Sequence, residues 1–201
     1  MFKGSCDKKT ETQKSRFLHE EKEMIPFPNK KYNIIYADPA WYFKSWSKVG
    51  EERNATKHYS CMSINDICNL PVKDICNTDC VLFIWVIDPM IPEAIKVINA
   101  WGFKYKTVAF TWVKENKSTG YFTGLGYWTR ANPEMCLLAT KGKPKRLSKS
   151  VRQLVMDVRR EHSRKPDRIR NDIINLCGDL PRIELFARQK TNGWDVWGNQ
   201  I

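Results

Sequence analysis

Apolar residues fall in short blocks along this chain, and the blocks alternate between strand-like and helix-like spacing. Asn33–Ala37 is almost wholly apolar and stops at Asp38-Pro39, which predicts a buried strand running into a rigid turn. Cys80–Ile87 (CVLFIWVI) is too apolar to have a wet face and predicts a second buried strand. Lys104–Val113, Met135–Thr140 and Arg182–Ala187 predict three more. Helical signals lie between them. Ser63-Ile64-Asn65-Asp66 is a capping box that opens a short helix, which Pro71 stops. Over residues 90–101, Ile91, Ala94, Ile95, Ile98 and Trp101 share one helical face, and Gly102 closes it. Residues 166–177 predict a helix with Pro166 in its first turn, Ile169, Ile173 and Leu176 inward, and Gly178 beyond. Strands alternating with helices predict an α/β fold with an open, mostly parallel sheet. Such sheets bind ligands at the carboxyl ends of their strands.

Polar stretches complete the outline. Residues 1–30 lack apolar periodicity and read as a mobile N-terminal arm, leaving residues 31–201 as one domain. Residues 44–60 and 114–130 read as loops. No apolar run approaches the ~20 residues needed to span a bilayer, and the first thirty residues lack a secretory apolar core. The expected setting is the cytoplasm, with no membrane partner. The seven cysteines, an odd number without a C-x-x-C pair, read as reduced thiols and not as zinc ligands, so no metal is expected. The glycine cluster at 120–126 is not followed by a helical pattern, which argues against a nicotinamide site.

Charge changes the picture. The chain carries +12, and residues 141–165 hold ten basic and two acidic side chains, a net +8. That segment predicts a polyanionic partner, nucleic acid in particular. The plainer reading is a solvated charged face.

Candidate chemistry concentrates at Asp38-Pro39-Ala40-Trp41, where the first strand ends. An exocyclic adenine amine is a poor nucleophile because its lone pair is delocalised into the ring. A carboxylate and a backbone carbonyl, here Asp38 and Pro39, can accept its hydrogens and redirect that lone pair. Trp41 or Tyr42 can stack on an extruded base. Trp85, Trp101 and Trp112 fall within element patterns and read as core.

Six blocks together then resemble one family. Tyr36-Ala37-Asp38-Pro39-Ala40-Trp41-Tyr42-Phe43 resembles the D-P-P-W signature of the MT-A70-like, β-class adenine-N6 methyltransferases. His58-Tyr59-Ser60-Cys61-Met62-Ser63, Gly124–Arg130 with Glu134, and Arg164-Lys165-Pro166-Asp167 resemble later blocks of the same family. Ile183–Arg188 and Trp194 with Gly198-Asn199-Gln200 resemble its closing blocks, so the resemblance covers residues 33–200 in order. It implies a circularly permuted, Rossmann-like fold that uses S-adenosylmethionine. By resemblance, Asp38, Pro39, Ala40 and Trp41 form the catalytic turn. Tyr42, Lys44, Trp128, Arg130 and Glu134 would lie toward the substrate. Asn33, Ile34, Asp38, Lys165, Arg188, Asn199 and Gln200 would hold the cofactor. The loops 44–60 and 114–130 would gate the site. Bland alternatives stand beside these roles: Lys165 as one more cation of the basic face, Glu184 as a structural acid, His58 as a loop-base hydrogen bonder. Ala40 replaces the usual second proline, and Arg164 stands where the family has histidine. The expected substrate is DNA, with RNA as the alternative; a non-catalytic partner subunit and a small-molecule or protein amide methyltransferase are the rival readings. A homodimer or a methyltransferase-like partner subunit would fit such a chain.

Overall fold

The computed structural model describes residues 25–41, 62–160 and 164–201. Seven strands form one sheet: β1 (Tyr32–Ala37), β2 (Cys76–Val86), β3 (Lys104–Glu115), β4 (Glu134–Lys141), β5 (Leu154–Val158), β6 (Arg182–Leu185) and β7 (Asp195–Trp197). Their order is β5-β3-β4-β2-β1-β6-β7, which puts β1 in the interior. Neighbours pair in parallel except β4, which is antiparallel to both β2 and β3. The expected α/β architecture with a mostly parallel sheet is the one observed. The reversal of β4 matters for the site, because it brings the start of β4 to the edge where β1, β2 and β3 end.

Among the described residues three α-helices cover the sheet: α1 (Ile64–Asn69), α2 (Ile91–Ala100) and α3 (Arg168–Cys177). The Ser63 capping box is formed, its hydroxyl accepting from the Asp66 N–H while the Asp66 carboxylate accepts from the Ser63 N–H. The end of α2 is a Schellman closure. Phe103 N–H donates to the Ile98 carbonyl and Gly102 N–H to that of Asn99, with Gly102 at φ +81°. Helices α1 and α2 cover one sheet face, where Ile67, Ala94, Val97, Ile98 and Trp101 meet Leu82, Ile84, Ala139 and Leu185. Helix α3 covers the other with Ile169, Ile173 and Cys177 against Ile34, Phe83, Trp85 and Val155. Both faces are therefore dry at β1 and at Cys80–Val86 of β2, which is why those blocks read as nearly continuous apolar runs.

Several expectations need correction. The apolar pattern assigns no element to the basic stretch after β4; the segment contains β5, whose single buried residue, Val155, gives too weak an apolar signal. Strand β7 is three residues long, too short for the pattern to predict. Pro166 precedes α3, which begins at Arg168. Residues 25–30, just before the expected domain start at 31, are docked on the sheet. Phe27 stacks on Trp197 with ring centroids 4.5 Å apart, the Trp197 indole N–H donates to the Ile25 carbonyl, and Lys30 pairs with Asp195 at 2.7 Å. These contacts make residues 25–30 part of the sheet's β7 edge; residues 1–24 lie outside the described residues.

Among the described residues, Cys68, Cys76, Cys80, Cys136 and Cys177 are free thiols, and no cluster of three metal-binding side chains forms. No helix among them is long and apolar enough to cross a membrane.

Candidate active site

Strand β1 delivers Asp38 to the edge where the parallel strands end. Its backbone there is shaped by a tight turn: the Trp41 N–H donates to the Pro39 carbonyl at 2.9 Å. One lone pair of that carbonyl is thus taken within the turn, and the second is left to accept from a ligand. Trp41 itself is buried, its indole N–H donating to the Trp85 carbonyl at 2.9 Å. The open stacking face expected of Trp41 is therefore not what the structure shows; the ring bolts the turn to β2. Tyr42 and Lys44 lie outside the described residues, as do His58 and the rest of the 44–60 loop.

Four charged side chains meet at this edge. Lys165 Nζ lies 3.0 Å from Asp38 Oδ2 and 3.1 Å from Glu134 Oε2. The second Glu134 oxygen pairs with Lys114 Nζ at 2.6 Å. The chain Asp38–Lys165–Glu134–Lys114 thus alternates in sign across three strands and the segment before α3. The ring of Trp85 lies under Lys165, and the rings of Trp112 and Phe122 flank Lys114. Burial alone would raise the Glu134 carboxyl, but Lys165 and Lys114 outweigh it and hold it down at about 2. Burial likewise works against a charged Lys165, and Asp38 and Glu134 outweigh that, raising its ammonium above the usual lysine range. Lys165 is thus an interior cation with two acidic partners, and not a member of the solvated basic face.

A cleft opens beside Asp38, lined by Tyr36, Arg164, Lys165, Arg170, Glu184, Phe186, Arg188 and Gln189. It is an open cleft with a cavity volume of about 180 Å³, smaller than an enclosed small-molecule pocket. Arg170 and Glu184 form its floor as a bidentate pair, both contacts 2.7 Å. Burial raises the Glu184 carboxyl, and Arg170 offsets this only in part. Above them Tyr36 accepts a hydrogen bond from the Trp85 indole N–H at 2.7 Å. Phe186 adopts φ +61°, unusual for an aromatic residue, directly after β6 and beside the cleft.

The remaining expected residues are distributed around this centre. Arg188 lines the cleft, and Gly198 packs so closely on Ala187 that a side chain there would start 2.4 Å from the Ala187 carbonyl oxygen. That approach carries the exposed Asn199 and Gln200 alongside the Arg188 segment. Trp128 and Arg130 sit exposed on the loop between β3 and β4. Asn33 and Ile34 lie at the start of β1, the opposite end of the strand from Asp38, and line a separate cleft with Lys143 and Lys145. Their backbone N–H groups both donate to the Pro181 carbonyl. The structure does not bring these two residues to the Asp38 cleft.

The basic segment is also divided. Residues 142–149 lie at that same far end, where Lys143 N–H donates to Asp79 and Leu147 N–H to the Leu176 carbonyl at the end of α3. Strand β5 then crosses the sheet and returns Arg159, Arg160 and Lys165 to the Asp38 end. One +8 patch in sequence is thus two clusters on the molecule. Sequence reasoning passes over Lys114 and Arg170. The signal that could have found Lys114 is the strand-borne Glu134, which needs a cation once it is buried.

Comparison with known proteins shows what the chain is similar to. The family model MT-A70 matches residues 32–200. The chain is 36% identical over 197 residues to the Type II methyltransferase M.MunI of Mycoplasma sp, covering 89% of this chain and 82% of that protein. It is 27% identical to the N(6)-adenosine-methyltransferase MT-A70-like of Arabidopsis thaliana, covering 85% of this chain and 24% of that one. It is 25% identical to the N6-methyladenosine RNA methyltransferase MTA1 of Pyricularia oryzae, covering 92% of this chain and half of that protein.

Proposed function

Because the chain belongs to the MT-A70 family, we propose that it transfers a methyl group from S-adenosylmethionine to the N6 amine of adenine in DNA. The observation that carries this reading is the Asp38 carboxylate at the strand end, tied through one oxygen to Lys165 and bordering an open cleft. DNA is preferred to RNA because the Type II methyltransferase is matched over most of its length, whereas the chain spans half or less of the relatives named for N6-adenosine or RNA.

The cleft suits the cofactor. Asp38 and Glu184 favour a sulfonium cation, Arg188 and Lys165 favour an amino-acid carboxylate, and Tyr36 and Phe186 offer apolar walls. When bound, S-adenosylmethionine supplies an electrophilic methyl group. Lys165 fixes Asp38 Oδ2, so Oδ1 is directed to accept one hydrogen of the target amine, and the Pro39 carbonyl accepts the other. Both contacts draw the nitrogen lone pair out of ring conjugation and strengthen as positive charge develops on the attacking nitrogen. Asp38, as the carboxylate placed at that amine, would also take up the proton that the amine gives up on methylation. Glu134 and Lys114 are positioning residues that keep Lys165 charged and aimed at Asp38. The cytoplasm is the compartment that suits the free thiols.

The decisive experiment supplies radiolabelled S-adenosylmethionine with duplex DNA, single-stranded DNA, RNA and adenine-free DNA, for the wild type and Asp38→Ala. Label in adenine-containing DNA alone, lost in the variant, is the expected result. Label only in RNA moves the substrate to the RNA side of the family. No label anywhere, with nucleic acid still bound, assigns the chain to the non-catalytic class represented by the Arabidopsis thaliana subunit MTB, 28% identical over 134 residues.

A further inference from the structure

The loop between β3 and β4 presents aromatic rings to solvent in a shape that is held. Trp128 is 92% exposed and Tyr127 65%, and the two rings meet edge-on at 6.4 Å. Solvent-facing tryptophan on a floppy tip would need no comment, but this tip is built. Gly126 sits at φ +63°, and a side chain there would start 1.8 Å from the Thr129 carbonyl oxygen. The Gly124 N–H donates to the Ala131 carbonyl at 2.6 Å, closing the loop on itself. The bend through 126–129 therefore forces Tyr127 and Trp128 outward.

The base of the loop is clamped to the active site. The Asn132 side chain accepts from the Lys114 N–H and donates to the Lys114 carbonyl, both at 2.9 Å, and donates also to the Phe122 carbonyl. Lys114 and Glu134, the two residues at the hinge, belong to the charge chain that ends on Asp38. Cations border the same loop. Arg130 is exposed on it, and the Arg159 guanidinium lies 4.1 Å from the Phe122 ring centroid.

From this juxtaposition of a rigid aromatic tip, bordering arginines and a hinge shared with the catalytic charges, we infer that the loop 116–133 is a stacking platform for a nucleotide flanking the target adenine. Trp128 takes the face of that neighbouring base, and Arg130 and Arg159 take its phosphates. Stacking needs an unpaired base, so the platform favours single-stranded or locally opened nucleic acid. The complementary charge makes a polyanion its occupant, in preference to a second protein surface. The inference rests on the nucleic-acid substrate proposed above.

The test uses the full chain and single-stranded oligonucleotides with one adenine and 2-aminopurine placed at successive positions on either side of it. Stacking on an indole quenches 2-aminopurine fluorescence. Quenching at one flanking position is expected on binding. Trp128→Ala should abolish it and weaken affinity about tenfold, in line with the ~1–3 kcal/mol measured for base–aromatic stacking. Trp128→Phe should restore most of the affinity but little of the quenching, because a phenyl ring stacks on a base without quenching as an indole does. Gly126→Ala, which keeps the indole but breaks the bend, should also lose the quench. Calorimetric S-adenosylmethionine binding, retained in every variant, certifies the fold. Equal quenching and affinity in Trp128→Ala would overturn the platform. So would unchanged oligonucleotide binding with a change in sedimentation, which would make the tip a protein–protein contact. Failure of the wild type to bind any oligonucleotide would sink the nucleic-acid substrate itself, a separate result.

Discussion

Lys165 and Asp38 lie 127 residues apart in the chain and 3.0 Å apart at the site. With Glu134 on its other side, Lys165 is a buried cation shared by two acids, and its removal strands both. Lys165→Met is expected to destabilise the protein by about 3 kcal/mol, as for other broken buried pairs. Denaturant melts should show this loss largely recovered in the Lys165→Met/Glu134→Gln double variant. Methyl transfer should fall at least a hundredfold in both, because neither restores the Asp38 orientation. Recovery of activity in the double variant would remove Lys165 from the positioning role.

Glu134 makes stability depend on acid. Its carboxyl ordinarily titrates at 4.5 and is held at about 2 in the folded protein. A lowered folded value means the stabilisation is complete above pH 4.5 and fades as pH falls toward 2. The interval corresponds to roughly 3 kcal/mol, shared with the Lys165 partner and not additional to it. Urea melts at about pH 7 and about pH 3 should show the gap between wild type and Glu134→Gln narrowing at the lower pH. A constant gap would mean that Glu134 contributes packing and not charge.

The two halves of the basic segment should behave differently toward nucleic acid. Neutralising Lys143, Lys145 and Arg146, at the far end of the sheet, should leave the salt dependence of binding nearly unchanged. Neutralising Arg130 and Arg159 should lower the slope of log K against log salt by about 0.7–0.9 for each phosphate that no longer meets a cation. Binding isotherms between low and moderate salt decide the matter, and the opposite ranking would relocate the nucleic-acid path to the far end.

Ala40 stands at the centre of the turn closed by Trp41 N–H and the Pro39 carbonyl. Among the described residues only Phe186 is a non-glycine with positive φ, so this is the inverse form of the turn, with a central φ near about −75°. Proline is already suited to that angle. Ala40→Pro should therefore raise stability by about 0.5 kcal/mol and Tm by a degree or two, with activity within a few-fold of wild type. A calorimetric scan that shows a fall in Tm would mean that the Ala40 N–H holds the turn in place.

Much of this architecture is legible because burial on both faces writes itself plainly. The runs at β1 and β2 are continuous in apolar residues, and the Ser63 box and Gly102 closure are local chemistry read without knowledge of the fold. Strand β5 is not legible, since an edge strand with exposed Leu154 and Met156 lacks the apolar continuity of its neighbours. At the strand end, Asp38 and Lys165, singled out through separate motifs, lie side by side. The burial of Trp41 is not legible, because a four-residue pattern does not say which way an indole faces. Lys114 is invisible for a different reason: its partner is set by the β3–β4 register, which pairs Trp112 with Glu134 across about twenty intervening residues of loop and strand.

Strand β1 is hydrogen-bonded on one side to β2 and on the other to β6, and the cleft wall beyond it belongs to the segments that follow Arg164. A chain emerging from the ribosome can therefore assemble β1 through β5 while Asp38 still lacks both its cation and its cleft. Competence arrives only when α3 and β6 dock, late in synthesis. On the role proposed above for Asp38, the sheet imposes an order in time: the carboxylate is made first, and its cation and cleft wall come last.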